Sequence, residues 1–369
     1  MLHRTATLSL LAVLGGCSTM GGPWEDQYGA PLRERTVEEP MLVNHYVIDS
    51  PEQTVVGIPQ VVLARHADTL SDLARAYGLG YDELAVANPG VDPWLPGDQT
   101  PVLLPTQFVL PDVPREGMVL NIASRRLFYF PQMPEGQAQV VKTYPIGIGR
   151  VGWETPLGVT TVVAKAVNPH WYVPASVRRE HREMGNPLPS VIPPGPDNPL
   201  GSRVLKLEMP GYLIHGTNQP YGVGMRVSHG CVRLYPENIE YLYELVNIGE
   251  PVRIINEPFL IGELNGEILF EAHQPLEDDA ISIDERLEQL FARFGEVSGI
   301  NLSAAEQDQI RTITSIASGV PVRVRSYDTA EVFARARLVR NIVETDPNSP
   351  TLSEVREMMA EVMLEDDQS

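Results

Sequence analysis

Leu213-Ile214-His215-Gly216-Thr217-Asn218 and, beginning thirteen residues after His215, Ser228-His229-Gly230-Cys231-Val232-Arg233 are the stretches that decide the reading of this chain. A thiol attacks as its thiolate, so it needs a base or positive surroundings close by. Here two histidines, His215 and His229, stand near the same cysteine, which is the arrangement acyl transfer uses. Gly216 and Gly230 leave room for close substrate approach. Backbone N–H groups around Gly230 and Cys231 are candidates to face a developing oxyanion. The same Cys231, His215 and His229 offer three ligands for a catalytic zinc, the competing reading. No fourth ligand or paired spacing stands nearby, so no metal and no cofactor is assigned.

The chain's other cysteine, Cys17, sits in a different context. One basic residue, Arg4, precedes an apolar stretch from Ala6 to Leu14, and Leu14-Gly15-Gly16-Cys17 follows. A run this short is a signal-peptide core, because a bilayer span needs ~20 residues. The small residues before Cys17 resemble a bacterial lipobox. That resemblance implies acylation of the Cys17 thiol, cleavage before it, and a lipid-anchored protein in the periplasm. Ser18 resembles the sorting residue of outer-membrane lipoproteins. Cys231 is then the sole thiol of the mature chain, which has no partner for an internal disulfide.

Across 369 residues the formal charge is -20 and proline is abundant, 33 in number. That is about 9% against a usual ~5%, a sign of many turns and linkers. The acidity argues against a nucleic-acid partner, since affinity for that polyanion comes mostly from Lys and Arg. The charge is uneven: residues 115–256 hold 14 basic and 11 acidic residues, whereas residues 257–369 hold 9 and 23. An anionic substrate meets least repulsion in the middle segment.

Residues 18–57 show little periodicity and read as a tether. From residue 117 short β runs alternate with Gly and Pro: Val119 to Ile122, Leu127 to Phe130, Val140 to Tyr144 and Val159 to Val163. They predict a mainly-β, sandwich-like domain over 110–256 with short helices. Pro236 opens one such helix behind the cysteine loop, with Ile239, Leu242, Tyr243 and Val246 on one face, and a strand at Val252 to Ile255 closes the domain. The stretch Asn168 to Leu200 contains eight prolines with Trp171 and Tyr172, and it reads as a long loop serving as a lid over a cleft. Tyr144, Trp171 and Tyr221 read as core or cleft lining, without a catalytic role. Residues 257–369 form an acidic, helical extension, with helices expected at Asp284 to Phe294, at Ser303 to Ala317 behind a Ser303-x-x-Glu306 capping box, and at Leu352 to Met363.

Residues 58–106 give strand, helix, helix, strand. Val61-Val62-Leu63 precedes a helix with Leu70, Leu73, Ala74 and Tyr77 on one face; a second helix, Tyr81 to Ala87, ends at Asn88-Pro89-Gly90; and Val102 to Pro105 closes the unit. The words Asp68-Thr69-Leu70, Ala74-x-x-Tyr77, Leu84-x-x-Ala87-Asn88-Pro89 and Leu95-Pro96-Gly97 resemble a LysM domain, which implies peptidoglycan binding. More aliphatic residues over Val55 to Arg65 replace that family's usual Tyr-x-Val lead-in. A packing module without a ligand is the alternative.

The two opening stretches resemble the hallmark of the YkuD-type L,D-transpeptidase family. Tyr144-Pro145-Ile146-Gly147-Ile148-Gly149, Glu154-Thr155-Pro156-Leu157-Gly158, Pro193-Pro194-Gly195-Pro196-Asp197-Asn198-Pro199-Leu200-Gly201 and Gly224-Met225-Arg226-Val227 extend the similarity across about 117–256. It is greatest to the Gram-negative branch that carries a LysM unit. The resemblance implies Cys231 as nucleophile and His215 as general base, with the Gly216 carbonyl orienting its imidazole. It gives His229 and Gly230 the oxyanion region, makes Ser228 a local hydrogen-bonding residue, and has Arg233 supporting the site or holding a substrate carboxylate. A structural salt bridge is the alternative for Arg233. The implied chemistry is release of D-Ala from a tetrapeptide stem through a Cys231 thioester. The stem then passes to a second diaminopimelate or to the C-terminal Lys of an abundant outer-membrane lipoprotein. Hydrolysis of that thioester and a non-catalytic wall tether are the rival expectations.

Overall fold

The computed structural model describes residue 32 and residues 35–41, 44–327 and 329–344. Cys17, its lipobox and the helix expected over 352–363 lie outside the described residues.

The strands Gly117–Asn121 and Arg126–Phe130 pair as a hairpin, with Arg125 at φ 50 in its turn. Successive side chains of a strand point to opposite faces, and here both faces are covered. Val119, Phe128, Phe130 and Val141 join a core with residues 62–110, whereas Met118, Leu120, Leu127 and Tyr129 join a second core with Ile239 and Leu242. Two-sided burial explains why these strands are apolar throughout and do not alternate. Fully burying a side chain of the size of Phe128 contributes about 1.5–3 kcal/mol.

This hairpin sits within a nine-stranded sheet. On one side follow Gln139–Pro145 and the edge strand Tyr46–Ile48. On the other, Gly117–Asn121 runs parallel to Pro251–Ile255, which pairs with the first half of the long strand Gly158–Val167. The register of that long strand shifts between Val162 and Ala164, and its second half pairs with Arg203–Leu207. Leu213–His215 comes next, and Val232–Arg233 lies parallel to it at the sheet's far edge. The two stretches that opened the sequence reading are thus neighbouring strands. Helix Pro236–Leu245, started by Pro236 in its first turn, buries Ile239 and Leu242.

The 58–106 segment is strand Gln60–Leu63, helices Leu70–Ala76 and Tyr81–Ala87, and strand Pro101–Leu104 antiparallel to the first. Thr69 and Asp72 form a reciprocal capping box on the first helix, whose end turns at Gly78, φ 63. Buried Asn88 donates to the carbonyls of Leu84 and Leu103, 2.8 Å each, and accepts from the Leu103 N–H at 2.7 Å, tying the second helix to the last strand.

This unit is joined to the large sheet by a continuous interior. Arg126, fully buried, reaches Glu83 at 2.6 Å and Thr143 at 2.8 Å and lies 4.2 Å from the Phe108 ring centre. Gly80 and Gly224 meet backbone to backbone: a Cβ on Gly224, itself at φ 90, would fall 2.4 Å from the Gly80 Cα. The expected tether is also partly structured, because Tyr46–Ile48 extends the large sheet and Val55–Gly57 pairs with Gln107–Val109.

The extension does hold helices, Ile283–Ser298 and Ala304–Ile316, each capped by a serine. It is not helical throughout. Phe259–Leu264 and Glu267–Ala272 form a hairpin around Asn265-Gly266, both at positive φ, and Arg337–Val339 adds a parallel strand to Gln60–Leu63. Asn-Gly between apolar runs is a hairpin signal in its own right.

Candidate active site

His215 ends the strand Leu213–His215, and Cys231 immediately precedes Val232–Arg233; the registers Ile214↔Val232 and His215↔Arg233 bring both to one edge of the sheet. Paired residues of parallel strands share a face, as do positions two apart along one strand. The His215 imidazole is buried, and its Nδ1 lies 2.6 Å from the Gly216 carbonyl oxygen. A carbonyl only accepts, so Nδ1 carries the proton and Nε2 is left basic. Burial, together with the charge of Arg233, lowers the His215 pKa to about 3 against the opposing pull of the Gly216 hydrogen bond. The ring is therefore neutral at physiological pH.

Cys231 is half-buried, with its Sγ 3.7 Å from the Gly211 carbonyl oxygen. Burial pushes the thiol up, partly offset by a hydrogen bond donated by the Leu213 backbone and by the Arg233 charge. The resting site is a neutral thiol and a neutral imidazole, with one guanidinium influencing both. Arg233 is fixed through its backbone, exchanging two 2.9 Å hydrogen bonds with Gly147.

Short bonds hold the cysteine loop. The Ser228 hydroxyl donates to the Cys231 carbonyl at 2.5 Å and accepts from the Gly230 N–H at 3.2 Å. The Gly230 N–H, expected near the oxyanion, is thus turned toward Ser228. Gly230 itself adopts φ 95, a conformation glycine reaches without strain. Thr155 bridges from outside, donating to the Gly230 carbonyl and accepting from the Gly149 N–H, each at 3.0 Å.

His229 points away from this bonding and toward the insertion 168–200. That insertion is built, where the sequence suggests a loop: Trp171–Tyr172 pairs with Val191–Ile192, and helix Ala175–Glu183 lies between them. Its ends are joined by Asn198, fully buried, which donates to the carbonyls of Pro169 at 2.8 Å and Pro193 at 3.1 Å. From the helix, Glu180 places Oε2 2.6 Å from His229 Nε2, and its other oxygen accepts from Arg150. The Trp153 ring meets His229 edge-on at 4.8 Å.

Sequence reasoning nominated His229 and Gly230 but missed Glu180, Arg150, Trp153 and Thr155. Thr155 sits inside one of the family-like words, Glu154-Thr155-Pro156, whereas Glu180 is one of three acids in a proline-rich insertion and carries no sequence signal of its own. Tyr144 is core, and Tyr221 packs against the core that the N-terminal unit shares. Among the described residues no three His, Cys, Asp or Glu side chains are grouped to hold a metal ion.

A mainly-β sheet that seats His-Gly-Thr beside Ser-His-Gly-Cys-Val-Arg defines the class, and residues 115–254 match YkuD, the L,D-transpeptidase catalytic domain. The probable L,D-transpeptidase YcfS of Escherichia coli K12 is 39% identical over 274 residues, 73% of this chain and 84% of the relative. YbiS of the same strain, also named a probable L,D-transpeptidase, is 42% identical over 235 residues, 63% and 75%. ErfK/SrfK of Salmonella typhimurium, named likewise, is 39% identical over 246 residues, 64% and 78%. The chain belongs to the YkuD-type L,D-transpeptidase family and is an enzyme acting on peptidoglycan.

Proposed function

We propose that the chain transfers tetrapeptide stems through a Cys231 thioester. The observation that carries this reading is the buried His215 ring, whose Nδ1 is committed to the Gly216 carbonyl so that Nε2 is the basic nitrogen at the strand edge shared with Cys231. In the first half-reaction His215 Nε2 takes the thiol proton and Sγ bonds to the diaminopimelate carbonyl carbon. The C–N bond to D-Ala breaks, and the proton leaves with the D-Ala amine. The N–H of Cys231 is the donor for the oxyanion, since Gly230 donates to Ser228. In the second half-reaction an acceptor amine attacks the thioester carbon, the C–S bond breaks, and Cys231 recovers a proton through His215.

The acceptor is the side-chain amine of a second diaminopimelate or the C-terminal Lys of an outer-membrane lipoprotein. The Leu14-Gly15-Gly16-Cys17 run supports a lipid anchor that holds the enzyme at the outer membrane. The LysM-like words of 58–106 support docking on glycan. Incubation with a tetrapeptide stem is expected to add the stem's mass less D-Ala to the wild-type chain and nothing to Cys231→Ala. Muropeptide mass spectrometry then reads the acceptor from the joined product. A digest containing only hydrolysed stems would defeat the transferase reading. Cys17→Ser is expected to move the protein from the membrane to the soluble fraction; unchanged membrane recovery would count against the anchor.

A further inference from the structure

The insertion touches the cysteine loop through a three-part polar cluster that the chemistry above does not use. His229 stands two residues before Cys231, and Arg150 follows the short strand Ile148–Gly149, which runs parallel to Arg226–Ser228. The Arg150 N–H donates to the Ser228 carbonyl at 3.0 Å, so His229 and Arg150 are carried on the same pairing. Their side chains approach to 3.3 Å, Arg150 Nη2 to His229 Nε2. Nε2 therefore has a choice set by the tautomer: unprotonated it accepts from the Arg150 guanidinium, protonated it donates to a carboxylate. Glu180 supplies that carboxylate from the insertion helix, one oxygen to each partner. The cluster is largely enclosed: side-chain exposure is 10% for Arg150, 21% for His229 and 25% for Glu180.

We propose that Glu180 is a positioning residue for acyl transfer at Cys231: its carboxylate holds His229 as the Nε2–H tautomer, packed on Trp153, and makes docking of the insertion helix and setting of the cysteine loop one event. The inference rests on the reading of Cys231 as the acylated residue. The groups facing His229 are Glu180 and His181 from the helix, Arg150 from the strand pairing and Arg233 from the sheet edge. Burial pulls the imidazole below its ordinary pKa, and Glu180 opposes that pull while Arg150 and Arg233 add to it. Burial raises the Glu180 carboxyl, but His229 and Arg150 together outweigh it and keep the group below the usual carboxylate range, hence charged. Without Glu180 an Nε2–H has no acceptor and Nε2 is free to accept from Arg150 instead, so the tautomer is no longer held and the helix loses its bond to the loop.

The test uses the full chain, with a carbapenem as the acylating probe and intact mass as the readout. Glu180→Gln and Glu180→Ala are expected to lower the second-order rate of Cys231 acylation at least tenfold while the melting temperature changes little. Glu180→Asp, which keeps the charge, is expected to recover part of the rate. In protein labelled with 15N-histidine, the His229 ring, assigned by its loss in His229→Gln, is expected to show a single Nε2–H tautomer in the wild type and a mixture in Glu180→Gln. Wild-type acylation rates in both variants would overturn the role of Glu180 alone, and so would a slowed rate with the His229 tautomer unchanged. Absence of any adduct on the wild-type chain would overturn the nucleophile reading, and this proposal with it.

Discussion

The cysteine loop and the insertion that faces it are held in opposite ways. Residues 228–233 are fixed by short bonds among themselves and to adjoining strands: Ser228 to both Gly230 and Cys231, Thr155 to Gly230, Gly147 to Arg233. The insertion 168–200 buries little, with Val177 as the one buried residue of its helix, and depends on a few polar anchors, Asn198 at its base and Glu180 at its tip. A region held by many local bonds keeps its shape when one is lost. A region held by two anchors keeps its fold but loses its position. Damage to the loop should therefore appear in stability and chemistry together, and damage to the insertion in chemistry alone.

The largest expected effect lies in the loop. Cys231→Ala should abolish acylation by a carbapenem, a loss on the order of 10³-fold or more, and His215→Asn should reduce it by about 10²–10⁴-fold; intact-mass time courses measure both. Next comes Ser228→Ala, which strands the Gly230 N–H and the Cys231 carbonyl. It should destabilise the fold by about 1–3 kcal/mol in urea titration and slow acylation as well. A Ser228→Ala protein of unaltered stability would break the contrast drawn above.

Why one region was legible and the other was not follows from the same contrast. His215, Gly216, Ser228, Gly230, Cys231 and Arg233 lie in two short runs whose residue types carry chemistry at fixed spacing, and strand pairing alone joins them. The strand–helix–helix–strand unit was legible because helix caps and 3.6-residue periodicity are local signals, as Thr69 with Asp72 illustrates. Glu180 meets His229 across 49 residues through a single side chain, and no periodicity marks it. The three-residue strands Tyr46–Ile48 and Arg337–Val339 are too short for alternation to register, and they form because a partner edge is waiting. The hairpin of 259–272 does carry a local signal, the Asn265-Gly266 turn between apolar runs, but the acidic composition around it masks the strand pattern.

Smaller effects sharpen the picture. Hydrogen exchange should be faster over 175–183 than over 228–233, because the insertion helix opens without the sheet. An equal rate would mean that the insertion is as firmly built as the loop. Acid should weaken the fold through His215. Its folded pKa of about 3 lies below the ordinary histidine value, so between about pH 6.5 and 3 the unfolded chain binds the extra proton. Stability is then complete above that window and is lost as pH falls through it, by about 2 kcal/mol at pH 5. His215→Asn should remove most of that contribution from the difference between pH 7 and pH 5 in urea titrations.

The contact between Gly80 and Gly224 has a mechanical meaning. Two backbones touching without side chains leave no clearance for sliding, and the buried Arg126–Glu83 pair pins the same boundary. The N-terminal unit and the catalytic sheet are therefore packed as one body around a shared core. If the docking of glycan proposed for the first unit takes place while the second holds a stem, the fold sets the distance between the two as a fixed gauge would.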